Sequence, residues 1–102
     1  MAQVRWTPQA LDDLEAICLF IARDAPHVAA VFADRAFRTI DRLEHHPRLG
    51  RIVPELEIET IREIILGNYR IIYRIREEQV QVVTVHHGPR LLDVGKIEGG
   101  AI

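Results

Sequence analysis

Arginines interrupt two apolar stretches in the carboxy-terminal part of the chain, GNYRIIYRIR (residues 67–76) and VHHGPRLL (residues 85–92). They are Arg70, Arg74, Arg76 and Arg90. A guanidinium group is planar and always charged, and its forked edge binds carboxylates and phosphates through paired hydrogen bonds. These arginines could therefore bind an acidic or phosphorylated partner, or stabilise charge on a reacting phosphate.

Strand alternation separates these arginines from their apolar neighbours. One face of the predicted strand carries Tyr69, Ile71, Tyr73 and Ile75. The other face carries Arg70, Arg74 and Arg76. We expect the first face to meet helices and the arginine face to stay partly open, with Arg62 joining it from the neighbouring strand. A plainer interpretation stays open, in which the arginines only pair with Glu63, Glu77 or Glu78 on a solvated surface.

The elements that position these side chains begin with a short strand, predicted over residues 2–6. Thr7-Pro8 then predicts a helix start, because a threonine hydroxyl caps the free amide groups and proline is tolerated at the first helical position. Apolar residues recur at helical spacing to a predicted end near Asp24.

A second helix is predicted from about Pro26 to His45, since Ala25 precedes a proline and is pushed out of the helical conformation. Asp24 or Ala25 is its expected cap, and Pro47 ends it. One apolar stripe along this helix pairs with the stripe of the first helix. The two helices should form an antiparallel hairpin on one face of the sheet.

Alternating strands follow the helices. Residues 46–59 carry two prolines and a glycine, which predicts a loop with a short strand at its end. Two strands, Ile61 to Leu66 and Tyr69 to Arg76, flank a tight turn at Gly67-Asn68. A turn at residues 77–79 leads into the last strand, Val80 to His86.

These elements predict one α+β domain over residues 1–102, in the order β-α-α-β-β-β, with the helix hairpin packed on one face of a small, mainly antiparallel sheet. Residues 93–102 are expected to be a loose tail unless bound. A chain of 102 residues with 48% hydrophobic residues is large enough to bury a core.

Charge and composition exclude several classes of function. The net charge of −2 gives no general attraction to nucleic acid, so polyanion binding requires a local cluster. The sequence carries neither a signal-peptide pattern nor an apolar run of about 20 residues, so we expect a cytoplasmic protein. Cys18 is the single cysteine, which excludes an intramolecular disulfide. The adjacent pairs His45-His46 and His86-His87 direct their rings apart, so we expect neither a metal site nor a cofactor.

The order and spacing of four pieces carry a resemblance to a known family: WTPQALDDL, HPRLGR, IREIILGNYRIIYRI and VVTVHHGPR. Over roughly residues 3–92 the chain resembles the toxins of RelE/ParE-family type II toxin-antitoxin modules. In such toxins Trp6 and Pro8 open the first helix, the YRI segment marks the central strand, and a His-Gly-x-Arg-like segment follows the last strand. The resemblance implies the RelE/ParE fold.

The resemblance also implies one of two activities, because RelE-like toxins cut mRNA on the ribosome and ParE-like toxins poison DNA gyrase. Cleaving RNA requires a general base, cations for the charged phosphorane and an acid for the leaving group. Arg70 and Arg90 fall where ribonuclease members place two catalytic arginines. The two lysine positions of those members fall on Ile61 and Glu63, and a late tyrosine position falls near Lys96.

The ribonuclease alternative stays open, because other members use a carboxylate and a carboxy-terminal histidine, for which Glu63, His86 or His87 could substitute. The V-x-HH-G-x-R-x-L ending instead resembles the ParE-like and plasmid-stabilisation branch, where the carboxy-terminal segment acts on gyrase without a catalytic site. The sequence therefore favours a gyrase inhibitor that is not an enzyme. A degenerate, non-toxic binding or regulatory subunit is a third alternative.

The partners implied by the resemblance are a cognate antitoxin and DNA gyrase, with the ribosome and mRNA as the alternative target. Antitoxins of this family wrap the toxin with an amphipathic helix and often an added strand. Leu19 and Phe20 lie off the main stripe of the first helix, and Ile52, Val53 and Leu56 lie in the loop. We expect some of these residues to fill gaps at the junction of helices and sheet, or else to form an exposed apolar groove for the antitoxin. The expected contact residues are Arg62, Arg70, Arg74, Arg76, His87, Arg90 and Leu91.

Overall fold

The computed structural model describes residues 1–88 and Ile97. The elements in chain order are β1 (Gln3–Trp6), α1 (Pro8–Ala22), α2 (Pro26–Asp41), a short 3-10 helix (Arg42–Glu44), β2 (Arg51–Ile52), β3 (Ile61–Leu66), β4 (Tyr69–Arg76) and β5 (Gln79–His87). Within this part of the chain, the strands form one sheet in the order β1-β5-β4-β3-β2. β1 runs parallel to β5, and the other neighbouring pairs are antiparallel. The predicted α+β arrangement is confirmed.

The first helix begins where the sequence predicts. The Thr7 hydroxyl accepts a hydrogen bond from the Ala10 N–H and donates one to the Val83 carbonyl, and both distances are 3.1 Å. One side chain therefore caps α1 and connects it to β5. Asp13 makes a second connection, since its carboxylate accepts hydrogen bonds from the Thr84 hydroxyl and the Val85 N–H. α1 ends at Ala22, two residues before its predicted end.

The second helix is shorter than predicted. α2 starts at Pro26 after Ala25, which occupies the capping position without a side-chain hydrogen bond, so Asp24 does not cap it. The regular helix ends at Asp41, and a tighter 3-10 turn completes the segment to Glu44. Such turns are common at helix ends, where the last carbonyls lose their regular partners.

The main core lies between the helix hairpin and one face of the sheet, which we call the helix face. It contains Ala10, Leu14, Ala36, Ile40, Leu43, Leu66, Ile71, Tyr73, Val80, Val82 and Val85. Tyr69 and Ile75 are partly buried against this cluster. The prediction that the apolar face of β4 meets the helices is therefore confirmed.

The turns between the last strands match their predicted positions. Gly67 has a φ of 61°, which glycine adopts without steric cost, and it joins β3 to β4 directly before Asn68. Glu77 has a φ of 55° in the turn between β4 and β5. The two turns fix the register that sets Ile65 opposite Arg70 and Arg70 opposite His86.

Two further observations complete the fold. Ile97, inside the predicted tail, is buried, and the rest of residues 93–102 lies outside the described residues. None of the helices in the described part of the chain is long and apolar enough to cross a membrane.

Candidate functional site

The sheet surface opposite the helices, which we call the far face, carries the candidate site. Strand alternation places Ile61, Glu63 and Ile65 of β3 and Arg70, Ile72 and Arg74 of β4 on this surface. Glu63 lies opposite Ile72, and Ile65 lies opposite Arg70. The far face therefore combines an acid, two arginines and aliphatic side chains in adjacent register positions.

The far face is more covered than the sequence predicts. After β2 the chain turns back across it, and Val53 and Ile97 pack with Ile61 and Ile72 in a second, small apolar cluster. Leu56 is partly buried against the same cluster. The expectation of an open arginine face is therefore wrong. A loop over residues 53–60 covers part of this face, because it packs against the aliphatic side chains that lie between the arginines.

Arg70 is buried under this cover, with 7% of its surface exposed. Its Nε atom donates to Glu63 Oε1 over 2.6 Å. Its Nη1 and Nη2 atoms donate to the two carboxylate oxygens of Glu55, each over 2.7 Å. Every nitrogen of the guanidinium group thus has a carboxylate partner, and paired carboxylates raise the pKa of Arg70.

Glu63 is the buried centre of this network, with a side chain that is 0% exposed. Its Oε2 atom accepts a hydrogen bond of 2.6 Å from Arg51 Nε, while Oε1 receives Arg70. We call the four residues Arg51, Glu55, Glu63 and Arg70 the arginine–glutamate network. Two positive and two negative charges balance within it, which lowers the cost of burying them.

Glu55 and Arg51 are the exposed members of the network, with side chains that are 43% and 61% exposed. The hydrogen bonds from Arg70 lower the pKa of the Glu55 carboxyl to about 2. This carboxylate therefore stays charged at neutral and mildly acidic pH.

Arg62 does not join the arginine face, which corrects a second expectation. It lies opposite Tyr73, on the helix face, and its side chain is only 13% exposed. Its guanidinium group donates to the carbonyls of Gly50 and Glu59 over 2.9 and 3.0 Å, and to the Glu59 carboxylate over 3.1 Å. Arg62 thereby ties two loop segments together, which is a structural use of the side chain.

Tyr73 fixes the HPRLGR loop beside Arg62. Its hydroxyl donates to the Pro47 carbonyl over 2.7 Å and accepts the Gly50 N–H over 2.9 Å. A Cβ atom on Gly50 would lie 2.5 Å from the Glu63 carbonyl oxygen and 2.8 Å from the Tyr73 hydroxyl. Only glycine fits there, so this loop is held against the sheet by contacts that a side chain would block.

The remaining predicted site residues spread over both faces and beyond. Arg74 is half-buried, with Nη2 3.5 Å from the Ile97 carbonyl oxygen, and Arg76 is exposed at the end of β4. His86 lies opposite Arg70 on the far face. His87 lies opposite Tyr69, and the two ring centroids are 5.3 Å apart. Arg90 and Leu91 lie outside the described residues.

A cleft of about 510 Å³ opens beside the arginine–glutamate network. Its lining includes Arg51, Glu55, Ile65, Asn68, Arg70 and Gly88. Within residues 1–88 and Ile97, no three His, Cys, Asp or Glu side chains converge as metal ligands. The described part of the cleft is therefore suited to a polar or acidic group that arginine can bind.

Sequence reasoning missed Glu55 and Arg51, which complete the network. Glu55 lies in the irregular segment between β2 and β3, and Arg51 lies in the two-residue strand β2, which is too short for a periodicity to assign its side chain to a face. The available signal was compositional, because the acid Glu55 follows Pro54 directly in a loop close to an arginine-rich strand.

Comparison with known proteins decides the family. A family model described as the ParE toxin of the type II toxin-antitoxin system parDE matches residues 4–92. The chain belongs to the ParE toxin family. The toxin RelE2 of Caulobacter vibrioides is 37% identical over 92 residues, which cover 89% of this chain and 100% of that protein. The resemblance to RelE/ParE toxins is thereby confirmed.

Two solved structures have the same fold as this ParE-family chain. The chromosomal ParDE toxin-antitoxin system from P. aeruginosa matches with a TM-score of 0.72 and 20% identity, over 85% of this chain and 96% of that one. The toxin-antitoxin complex RelBE2 from Mycobacterium tuberculosis matches with a TM-score of 0.54 and 26% identity, over 84% and 96% of the two chains. Relatives of both names, ParE and RelE, thus share this architecture.

Proposed function

We propose that this ParE-family toxin acts by binding DNA gyrase and that a cognate antitoxin neutralises it in the bacterial cytoplasm. The observation that carries the proposal is the state of Arg70. This arginine occupies a position that ribonuclease members of the wider family use in catalysis, yet here it is buried and all its nitrogens donate to Glu55 and Glu63. A binding mechanism requires no free catalytic cation at this position.

The chemistry of RNA cleavage explains why this observation matters. A cation must reach the phosphorane, and a base must take the proton of the 2′-hydroxyl. The forked Nη edge of Arg70, which would bind a phosphate, is occupied while Glu55 is paired with it. Glu63 is an equally poor base, because both of its oxygens accept from arginines and its side chain is fully buried. Ile61 falls at the other of the two positions where ribonuclease members carry lysines, and its side chain has no polar group.

A supercoiling assay tests the proposal directly. Purified chain is added to DNA gyrase, ATP and relaxed plasmid, and supercoiled product is measured against the ratio of chain to gyrase. We expect inhibition that saturates near stoichiometric amounts, because binding and not turnover is responsible. Full supercoiling in the presence of a large excess of folded chain would contradict the proposal.

One observation keeps ribosome-dependent mRNA cleavage as the second candidate function. His86 lies opposite Arg70, so an imidazole and a guanidinium group occupy adjacent register positions on the far face. The relative named RelE2 is also more similar in sequence than either solved structure. A translation extract with a defined mRNA distinguishes the candidates: cleavage that is lost with Arg90→Ala, while the fold and antitoxin binding persist, would support the ribonuclease.

The antitoxin is the second partner in the proposal. Both solved neighbours are described as toxin-antitoxin systems or complexes. Large apolar side chains stay exposed on the helices, namely Leu11, Leu19, Phe20, Val28, Val31 and Phe37. Leu19 and Phe20 are each 64% exposed, so they do not fill gaps beside the sheet. An amphipathic antitoxin helix would cover such side chains.

A substitution on the exposed helix surface tests the antitoxin contact. Phe20→Asp should weaken the complex with the co-expressed antitoxin at least ~10-fold, because it removes apolar contact area and buries a charge. Arg38→Ala, which loses only an exposed ion pair with Asp34, is the matched control. Equal affinity of both variants would exclude Phe20 from the interface.

A further inference from the structure

The guanidinium group of Arg70 has an inner and an outer edge. The inner edge, at Nε, donates to Glu63, whose side chain is 0% exposed. The outer edge, at Nη1 and Nη2, donates to Glu55, whose side chain is 43% exposed. The two carboxylates therefore differ in kind, since one is fixed in the interior and the other is in contact with solvent.

The inner edge is held by residues other than Glu55. Glu63 is a residue of β3, and it is held from the other side by Arg51 over 2.6 Å. This arrangement does not involve Glu55, so the outer edge keeps its direction when Glu55 leaves. A guanidinium fork whose direction is fixed in advance loses little entropy when it binds a carboxylate.

Glu55, by contrast, is the partner that another carboxylate can replace, because its side chain is 43% exposed. It belongs to the exposed part of the loop over residues 53–60, between Val53 and Leu56, which anchor the loop in the far-face cluster. Rotation of the Glu55 side chain into solvent breaks its two hydrogen bonds to Arg70. The outer edge then faces the cleft of about 510 Å³, which Arg51 also lines.

We propose that the outer edge of Arg70 is a binding site for a carboxylate of an acidic peptide segment on a protein partner, and that Glu55 is the internal occupant which this carboxylate displaces. The resident group defines the ligand, because Glu55 already shows that a carboxylate fits both Nη atoms at 2.7 Å. Once Glu55 has left, Arg51, Glu63 and Arg70 carry one net positive charge. That charge matches a single carboxylate better than a doubly charged phosphate.

Displacement by a partner makes Glu55 a competitor, so its removal should strengthen binding. The test measures binding of a hexaglutamate peptide to the full chain and to Glu55→Gln, by heat of binding and by shifts of the Arg70 Nε–H resonance. Glu55→Gln should bind at least ~10-fold more tightly, because a bidentate charged pair no longer has to be broken first. Adding Arg70→Lys to Glu55→Gln should remove the gain, since lysine lacks the fork.

Glu57→Gln is the matched control, because it removes the same charge from the same exposed loop. Glu57 makes no ion pair among the described residues. Equal strengthening by Glu57→Gln would reduce the effect to general electrostatics and overturn the proposal. Unchanged affinity of folded Glu55→Gln would overturn it as well, and so would tighter binding of inorganic phosphate than of hexaglutamate by this variant.

The inference is independent of the gyrase proposal. If the chain leaves gyrase fully active but Glu55→Gln still binds hexaglutamate more tightly, the carboxylate site stands and the proposed target is wrong. If the chain inhibits gyrase and Glu55→Gln shows no gain, the target stands and the displacement mechanism is wrong.

Discussion

The two faces of the sheet are stabilised by different forces. On the helix face, two helices cover a large cluster that includes Ile40, Leu43 and Ile71, each 0% exposed. On the far face, a loop and Ile97 cover a small cluster around Val53 and Ile72, and the arginine–glutamate network lies beside it. The helix face depends mainly on apolar burial, and the far face depends on directional charged contacts.

This difference separates stability from function. Apolar burial is non-directional and holds the helices wherever their stripes meet the sheet. A charged pair needs a partner of opposite charge in a fixed position, and a different partner of the same charge can replace the first. On the proposal above, the far face exchanges the Glu55 carboxylate for that of another protein, and this exchange leaves the apolar burial on the helix face unchanged.

The largest expected effect tests the difference in apolar burial between the two faces of the sheet. Ile40→Ala on the helix face should lower the free energy of unfolding by about 4 kcal/mol, because it leaves a cavity in the main core. Val53→Ala on the far face should lower it by about 2 kcal/mol, since its cluster is small. Urea denaturation followed by circular dichroism measures both; equal losses would contradict the contrast.

Breaking the network from within should have the next largest effect. Glu63→Ala should lower the free energy of unfolding by about 3 kcal/mol, because Arg70 stays buried and loses its inner partner. The loss falls at the low end for a buried pair, since Glu55 remains. Replacing Glu63 and Arg70 together by methionine should restore most of the stability, as apolar side chains of similar size need no partner. A single variant as stable as the unmodified chain would refute this role of Glu63.

A smaller effect is expected where the HPRLGR loop meets the helix face. Tyr73→Phe removes the hydroxyl that pairs with Pro47 and Gly50, and it leaves two backbone groups unsatisfied. We expect a loss of about 2 kcal/mol in the free energy of unfolding. Tyr69→Phe is the control, because the Tyr69 hydroxyl makes no hydrogen bond among the described residues, and it should change little. Similar losses in both variants would exclude the hydroxyl as the cause.

The smallest effect concerns the pH dependence of the ion pair between Glu55 and Arg70. The pKa of Glu55 is about 2 in the folded chain, below its ordinary value of 4.5. A lowered folded pKa means that the pair stabilises the fold above about pH 4.5 and loses this contribution as the pH falls toward 2. At pH 7 the free energy of unfolding of the unmodified chain should exceed that of Glu55→Gln by about 1 kcal/mol. The value is modest because solvent screens this partly exposed pair.

Urea midpoints of both chains between pH 7 and pH 2 measure that difference. The two midpoints should converge as the solution becomes acidic. A difference that does not change with pH would show that the charge of Glu55 is not what stabilises the network.

The fold could be predicted largely because its signals are local. Thr7-Pro8 predicts the start of α1, and Gly67-Asn68 predicts the turn between two alternating strands. Each of these signals depends on only a few neighbouring residues. The end of α2 was placed too late, because the tight turn to Glu44 keeps a helix-like spacing of side chains.

The site was less predictable because one of its carboxylates comes from an irregular segment of the chain. Arg70 could be placed on the far face by alternation, but its partner Glu55 lies in a loop without a period. Arg62 lies on the helix face and not on the predicted arginine face, because its register position is opposite Tyr73. What decides the site is the path of the 53–60 loop, which follows from tertiary packing of Val53 and Leu56.

The most direct test of the central claim, that the toxin acts by binding gyrase and not by cutting RNA, is pulse-labelling of DNA and protein synthesis in bacterial cells within minutes of inducing this chain alone. The account predicts that thymidine incorporation falls first while amino-acid incorporation continues. An early fall in amino-acid incorporation with DNA synthesis intact would contradict it, and would mean that Arg70 leaves Glu55 to act on RNA.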